Sequence, residues 1–177
     1  MGRKRVEVIA EVGLAHDGDI RMAHRYIDAI GKIDVDAIKF QLHIADAESS
    51  SFEPFRVRFN DNDKTRFDFW KRIEFTIDQW RELKRHTEDC GCKFLCSPFS
   101  IEAVEVLEEI GVERYKIGSG EVTNLLMIEK IIQTGKDLIV SSGMSSFAEL
   151  VNTVDYIKKN GNRVALMQCS TKYPTAP

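Results

Sequence analysis

Short apolar runs alternate with capped amphipathic segments along the whole chain, and no other feature restricts the fold as strongly. The runs cover residues 6–12, 37–41, 93–97, 114–117, 138–141 and 164–169. Val, Ile, Leu and Phe fill them almost continuously, which is the pattern of strands covered on both faces. The segments between them carry helix punctuation. Asp19 caps a helix running to about Ile33, with Ala23, Tyr26, Ile27 and Ile30 on one stripe. Thr76 and Gln79 form a capping box ahead of Trp80, Leu83 and Thr87, and Gly91 ends that helix. Ser100 opens a helix that turns Ile101, Val104, Leu107 and Ile110 inward and closes at Gly111. Asn124 opens the next, which Gly135 closes, and Ser146 with Glu149 forms a second capping box before a helix ending at Asn160 and Gly161. Strands and helices in strict alternation predict a parallel sheet with right-handed crossovers.

A doubly wound open sheet and a (β/α)8 barrel both satisfy that alternation. The first run leads into Glu11, Gly13, His16 and Gly18, which is neither a dinucleotide-binding glycine loop nor a Walker loop. Polar residues instead stand at the end of every run: Glu11; Lys39 and Gln41; Ser97; Lys116, Ser119 and Glu121; Ser141 and Ser142; Gln168, Ser170 and Thr171. An open sheet gathers such residues at one switch point, whereas a barrel takes one contribution from each strand. The expectation is an α/β chain carrying about strands 1–6 of a (β/α)8 TIM barrel over residues 1–177. Residues 42–75 stretch the second unit and hold Phe52, Phe55, Phe59, Phe67, Phe69 and Trp70 among many charges. A long excursion after a strand's C-terminal end either shapes a site or packs its own aromatics as a surface loop.

Composition narrows the function. The chain has 177 residues, 43% of them hydrophobic, enough to build a core. Its formal net charge of −3 argues against a nucleic-acid partner. No apolar run approaches the roughly 20 residues of a membrane span, and the basic start leads into an alternating run rather than a signal peptide. A cytoplasmic protein without membrane attachment is expected. Cys90, Cys92 and Cys96 lack a usual zinc spacing, so the thiols read as packing groups. His24 and His86 fall on helices and read as solvated.

Lys39 and Lys116 lie in or at the end of apolar runs, where an ammonium needs an anion. Glu11, Glu121 or a ligand phosphate or carboxylate would serve. Ser97, Ser119, Ser141, Ser142 and Ser170 supply hydroxyls, and Gly118, Gly120 and Gly143 allow close backbone approach, a combination suited to phosphate. His16 is either a core or turn partner or a site residue. No metal constellation is evident within these residues.

Residues 9–18 (IAEVGLAHDG), 37–41 (AIKFQ), 97–99 (SPF), 115–121 (YKIGSGE), 141–144 (SSGM) and 168–174 (QCSTKYP), in that order, resemble the sialic acid synthase family. That group includes N-acetylneuraminate, legionaminic and pseudaminic acid synthases and a similar spore coat polysaccharide protein. The resemblance implies a (β/α)8 barrel that condenses phosphoenolpyruvate with an N-acetylated, N-acetylmannosamine-like aldose. Its product is a nine-carbon α-keto acid of carbohydrate biosynthesis. Phosphate leaves by C–O cleavage, and a divalent Mn2+ or Mg2+ polarises the aldehyde.

The same resemblance implies roles. Lys116, Ser119, Ser141 and Ser97 hold the phosphate and carboxylate of phosphoenolpyruvate, and Lys39 and Gln41 sit at the second-strand site, with Lys39 binding the negative charge of the enol phosphate. Glu11 and Glu121 stand near the sugar and the reacting centre, with Glu11 orienting the sugar and moving a proton. Tyr173 lies on the sugar side, and His16 and Thr171 contribute to substrate binding. Ala15 precedes His16 where the family often has Asn, and Gln168 and Thr171 replace the family's usual first and last residues in the sixth block. The metal-binding histidines and the antifreeze-like C-terminal domain are expected beyond Pro177, with no metal ligand within this chain, and a homodimer is expected. Two other readings are a non-catalytic module that binds phosphorylated ligands, and another phosphoenolpyruvate-using keto-sugar acid synthase.

Overall fold

The computed structural model describes residues 5–55 and 61–172. The chain divides into two compact units, Met1–Cys96 and Ser97–Pro177. Tyr173 and Phe59 lie outside the described residues.

In the first unit the order is β1 (Ile9–Gly13), α1 (Ile20–Ile30), β2 (Ala37–Leu42), α2 (Ala45–Glu48), α3 (Arg66–Ile73), α4 (Ile77–Asp89) and β3 (Lys93–Pro98), whose last two residues open the second unit. β1 and β2 pair in parallel with Glu11 opposite Lys39, and β3 follows β2 in the sheet. The first strand starts later than the sequence suggests. Val6 and Val8 are 79% and 45% exposed, and a strand covered on both faces would bury them. Asp19 caps α1 by accepting from the Arg21 amide, and the Thr76–Gln79 capping box opens α4 as expected. Ile27, Phe40, Leu42, Leu83 and Leu95 are fully buried or nearly so, each contributing on the order of 1.5–3 kcal/mol by removal from water.

The long excursion builds structure of its own. Thr65 and Asp68 make a third capping box that starts α3, and Ala45, Phe69, Trp70 and Ile73 form a buried cluster. Leu14, Phe55 and Phe67 pack against this cluster, whereas Phe52 is 90% exposed.

In the second unit the order is α5 (Ile101–Ile110), β4 (Arg114–Ile117), a 3-10 turn (Ser119–Glu121), α6 (Leu125–Ile132), β5 (Asp137–Ser141), α7 (Phe147–Lys159) and β6 (Val164–Met167). β4 pairs with β5 and β5 with β6, all parallel. Ser100, Asn124 and Ser146 cap their helices as the sequence implies, and Gly111 ends α5 in the left-handed region at φ 76°. β6 corrects the sequence reading. It ends at Met167 rather than Cys169, and its residues are half-buried or exposed. β5 is its one hydrogen-bonded strand neighbour among the described residues, so apolar composition alone overstated its cover. Among the described residues no helix is long and apolar enough to cross a membrane.

Candidate functional site

The charged residues singled out from sequence sit at the C-terminal ends of their strands, in one group per unit. In the first unit, the register that sets Glu11 opposite Lys39 brings the Lys39 Nζ 2.5 Å from Glu11 Oε2. Lys39 is nearly buried, with its side chain 12% exposed, while the Glu11 side chain is 45% exposed. The carboxylate therefore meets solvent and the ammonium holds it from behind, so Glu11 is the anion Lys39 meets in this structure. Gln41 Nε2 donates to Glu11 Oε1 at 3.4 Å. The β1–β2 register shifts just beyond this pair, between Glu11 and Gly13. Gly13 stands at φ +56°, and a Cβ there would lie 2.9 Å from Glu11 Oε1.

Alternation along β2 places Lys39 and Gln41 on one face, and His43 follows immediately after the strand. His43 was not singled out as a site residue, and the structure makes it the link to the excursion. Its Nδ1 lies 2.7 Å from Glu48 Oε2, its Nε2 lies 3.5 Å from Gln41 Oε1, and its ring stacks on Trp70 at 3.8 Å and 7°. A polar chain thus runs from Lys39 through Glu11, Gln41 and His43 to Glu48 on α2. The available signal was the spacing of two from Gln41.

His16 is buried, 1% exposed, with its ring 4.5 Å from Phe75 and 6.4 Å from Phe40. Its Nδ1 accepts from the Gly18 amide at 3.1 Å, so the proton of the neutral ring sits on Nε2, which has no hydrogen-bond partner. Burial pushes the imidazole down to about 4, against a smaller opposite pull from Asp17.

In the second unit, Lys116 on β4 is 6% exposed and donates from Nζ to Ser141 Oγ on β5 and to its neighbour's carbonyl, Ile117 O, at 2.9 Å. Ser97 and Ser141 are buried at 2% and 6%. Ser119 is half-buried in the 3-10 turn that follows β4. Glu121 ends the same turn and accepts from Asn124 Nδ2 at 2.9 Å. Thr171 is exposed, yet it lies close to the β5–α7 loop: a Cβ on Gly143 would meet its Cγ2 at 2.8 Å. The Cys169 amide donates to Ser142 Oγ at 3.3 Å and holds that segment in place. A buried ammonium bonded to a hydroxyl is a group suited to binding anions.

The strand-end residues do not offer a set of hard oxygen donors for Mn2+ or Mg2+ among the described residues. Glu11 is engaged by the Lys39 ammonium and Glu121 by Asn124.

A profile of the NeuB family matches residues 26–177. The chain belongs to the NeuB family. Within this family it is 32% identical over 177 residues to N,N'-diacetyllegionaminic acid synthase of Campylobacter jejuni, covering 97% of this chain and 53% of that protein. It is 32% identical over 173 residues to human N-acetylneuraminate-9-phosphate synthase, covering 96% of this chain and 48% of that protein. The crystal structure of N-acetylneuraminic acid synthetase from Leptospira borgpetersenii, in complex with citrate, superposes with a TM-score of 0.83 at 30% identity. That superposition covers 99% of this chain and 57% of the other. The chain thus spans about half the length of the curated relatives it matches. Its fold class is that expected from sequence: α/β, with the first six strands of a (β/α)8 barrel.

Proposed function

We propose that this chain supplies the substrate-binding strands of a synthase that condenses phosphoenolpyruvate with an N-acetylated aldose to give a nine-carbon α-keto acid and phosphate. The observation that carries the reading is the buried Lys116 ammonium bonded to Ser141 at the C-terminal ends of β4 and β5. Phosphoenolpyruvate carries a phosphate and a carboxylate, and a preorganised ammonium bonded to a hydroxyl recognises such groups without paying again for their desolvation. Lys116, Ser141, Ser97 and Ser119 bind the anionic groups, and Thr171 adds a hydroxyl beside Gly143. In the first unit Lys39 holds the Glu11 carboxylate in place, and Glu11 with Gln41 orients sugar hydroxyls and accepts a proton. His16 donates from Nε2 if a ligand oxygen reaches it, and Glu121 and Tyr173 complete the assignment on the family resemblance alone.

The chemistry divides into a C–C bond formed by the enol carbon on the sugar aldehyde, addition of water at C2, and loss of phosphate by C–O cleavage. In the family reading a divalent cation would supply Lewis acidity at the aldehyde, and the described residues of this chain do not compose its site. The homodimer belongs to the same proposal, and sedimentation velocity gives its subunit count. The excursion at residues 42–75 is assigned to sugar choice, because α2 joins the Gln41–His43 chain through Glu48. Grafting that segment onto a relative shifts the preferred sugar if the assignment is right; an unchanged preference refutes it. The test of the anion site is calorimetric titration of phosphoenolpyruvate into wild-type protein and Lys116→Met. Binding lost in the variant supports the reading, and equal binding removes Lys116 from it.

A further inference from the structure

Away from the strand ends, α1 and α4 of the first unit face each other with two columns of metal-ligating side chains. His24 and Asp28 lie one turn apart on α1; Glu82, His86 and Cys90 follow at successive turns on α4 and its cap. The sequence reading set both histidines in solvent, and the structure corrects this. His24 and His86 are roughly three-quarters buried and their Nδ1 atoms are 2.7 Å apart. His86 Nε2 lies 3.0 Å from Asp28 Oδ1. The ligand atoms of Asp28, His86 and Cys90 all lie within 4.8 Å of one another. Gly31 leaves room for the thiol: a Cβ there would meet Cys90 Cβ at 2.9 Å and Sγ at 3.2 Å.

The proton count is the second observation. Two Nδ1 atoms at hydrogen-bond distance share one proton. If His86 donates from Nε2 to Asp28 and accepts at Nδ1 from His24, then His24 turns a bare Nε2 toward Glu82. That atom is in fact buried and makes no hydrogen bond, although Glu82 Oε1 is 3.2 Å away. A positive charge at His86 Nε2, whether a proton or a metal ion, satisfies all of these positions. With a metal ion there, His86 donates from Nδ1 to His24 and His24 donates from Nε2 to Glu82. Carboxylate–imidazole relays of this kind orient metal-bound histidines.

We propose that His86, Cys90 and Asp28 bind a borderline transition-metal dication, with Zn2+ the best fit, at the seam between α1 and α4, with His24 and Glu82 orienting His86. Zinc takes one nitrogen, one thiolate and one carboxylate oxygen at about 2.0–2.3 Å, with a fourth position for water. Rotation of the exposed Asp28 side chain, with small adjustments of the half-buried His86 and Cys90, closes the gap from the present spacing. The thiol proton passes to solvent on binding. A thiolate–imidazole set prefers zinc or cobalt to magnesium or manganese.

Cobalt reads the thiolate directly. Chelator-treated protein titrated with Co2+ should show sulfur-to-cobalt charge transfer and tetrahedral ligand-field bands. One equivalent of Zn2+ should displace them, and a large excess of Mg2+ should not. Cys90→Ser should abolish the charge-transfer band with the other three cysteines intact, and Asp28→Asn should weaken Co2+ at least tenfold. Asp28 is exposed, so its variant reads the site even if Cys90→Ser folds poorly. No thiolate band in the wild type, or an undiminished band in Cys90→Ser, overturns the proposal.

Discussion

Glu11 and Lys39 are opposite each other because the β1–β2 register makes them so, and removing either charge changes the other's surroundings. Glu11→Gln leaves the nearly buried Lys39 facing a neutral amide, and the synthase reading predicts a lower kcat with phosphoenolpyruvate affinity kept within about threefold, a change of well under 1 kcal/mol. Lys116→Met acts in the opposite sense, weakening phosphoenolpyruvate at least ~30-fold, about 2 kcal/mol. Titration calorimetry with steady-state phosphate release separates the two outcomes, and a Glu11→Gln variant that loses phosphoenolpyruvate binding would contradict the division of roles. His16 makes a prediction about stability. Its folded value of about 4 lies below the unfolded value of 6.5, so between them the unfolded chain binds the extra proton. Stability from burying the neutral ring is complete above pH 6.5 and declines as pH falls to about 4, by on the order of 3 kcal/mol at most. Urea unfolding of wild type and His16→Asn from pH 7 to pH 4.5 checks this: the wild type should lose more stability than the variant, and parallel curves would refute it.

Elements show why some of the structure could be read ahead and some could not. The boxes at Thr76–Gln79 and Ser146–Glu149 were legible because each signal is local, four residues long, and followed by an apolar stripe. The box at Thr65–Asp68 uses Asp in place of Glu or Gln and precedes a helix of only eight residues amid charges, so the excursion looked like a loop. Its core is non-local: Leu14 and Phe55 pack on Phe69 and Trp70 from distant parts of the chain. Val6, Val8, Leu166 and Met167 were misjudged because an apolar residue states a preference for burial, and only neighbouring elements supply it. Thr65→Ala should cost ~1 kcal/mol through loss of the α3 cap. Gly18→Ala should cost more. Gly18 has φ +81°, and its Cβ would lie 2.6 Å from Arg72 O at the end of α3. The backbone strain alone is about 1–3 kcal/mol. The same contact is fastened by Arg72, which donates to Asp17 O at 3.0 Å and pairs with the buried Asp63 at 2.9 Å. Thermal unfolding ranks the two variants; Gly18→Ala at or above wild-type stability would contradict the docking of α3 on the β1–α1 loop.

At the scale of the molecule, residues near in space and far in sequence decide what composition could not. Lys116 and Ser141 are 25 positions apart, and alternation of strands and helices was enough to anticipate their meeting, because parallel neighbours align their C-terminal ends. His24 and His86 are 62 apart on helices, where no strand register announces an encounter, and the pair was invisible. The central claim is that this NeuB chain handles phosphoenolpyruvate in a condensation that cleaves the C–O bond. The most direct measurement gives the full-length protein phosphoenolpyruvate labelled with 18O at the bridging oxygen, Mn2+, and a panel of N-acetylated hexoses. The account predicts phosphate release only in the presence of an accepted sugar, with the label in the phosphate. Release independent of sugar, no release with any sugar, or label retained in the organic product would contradict it.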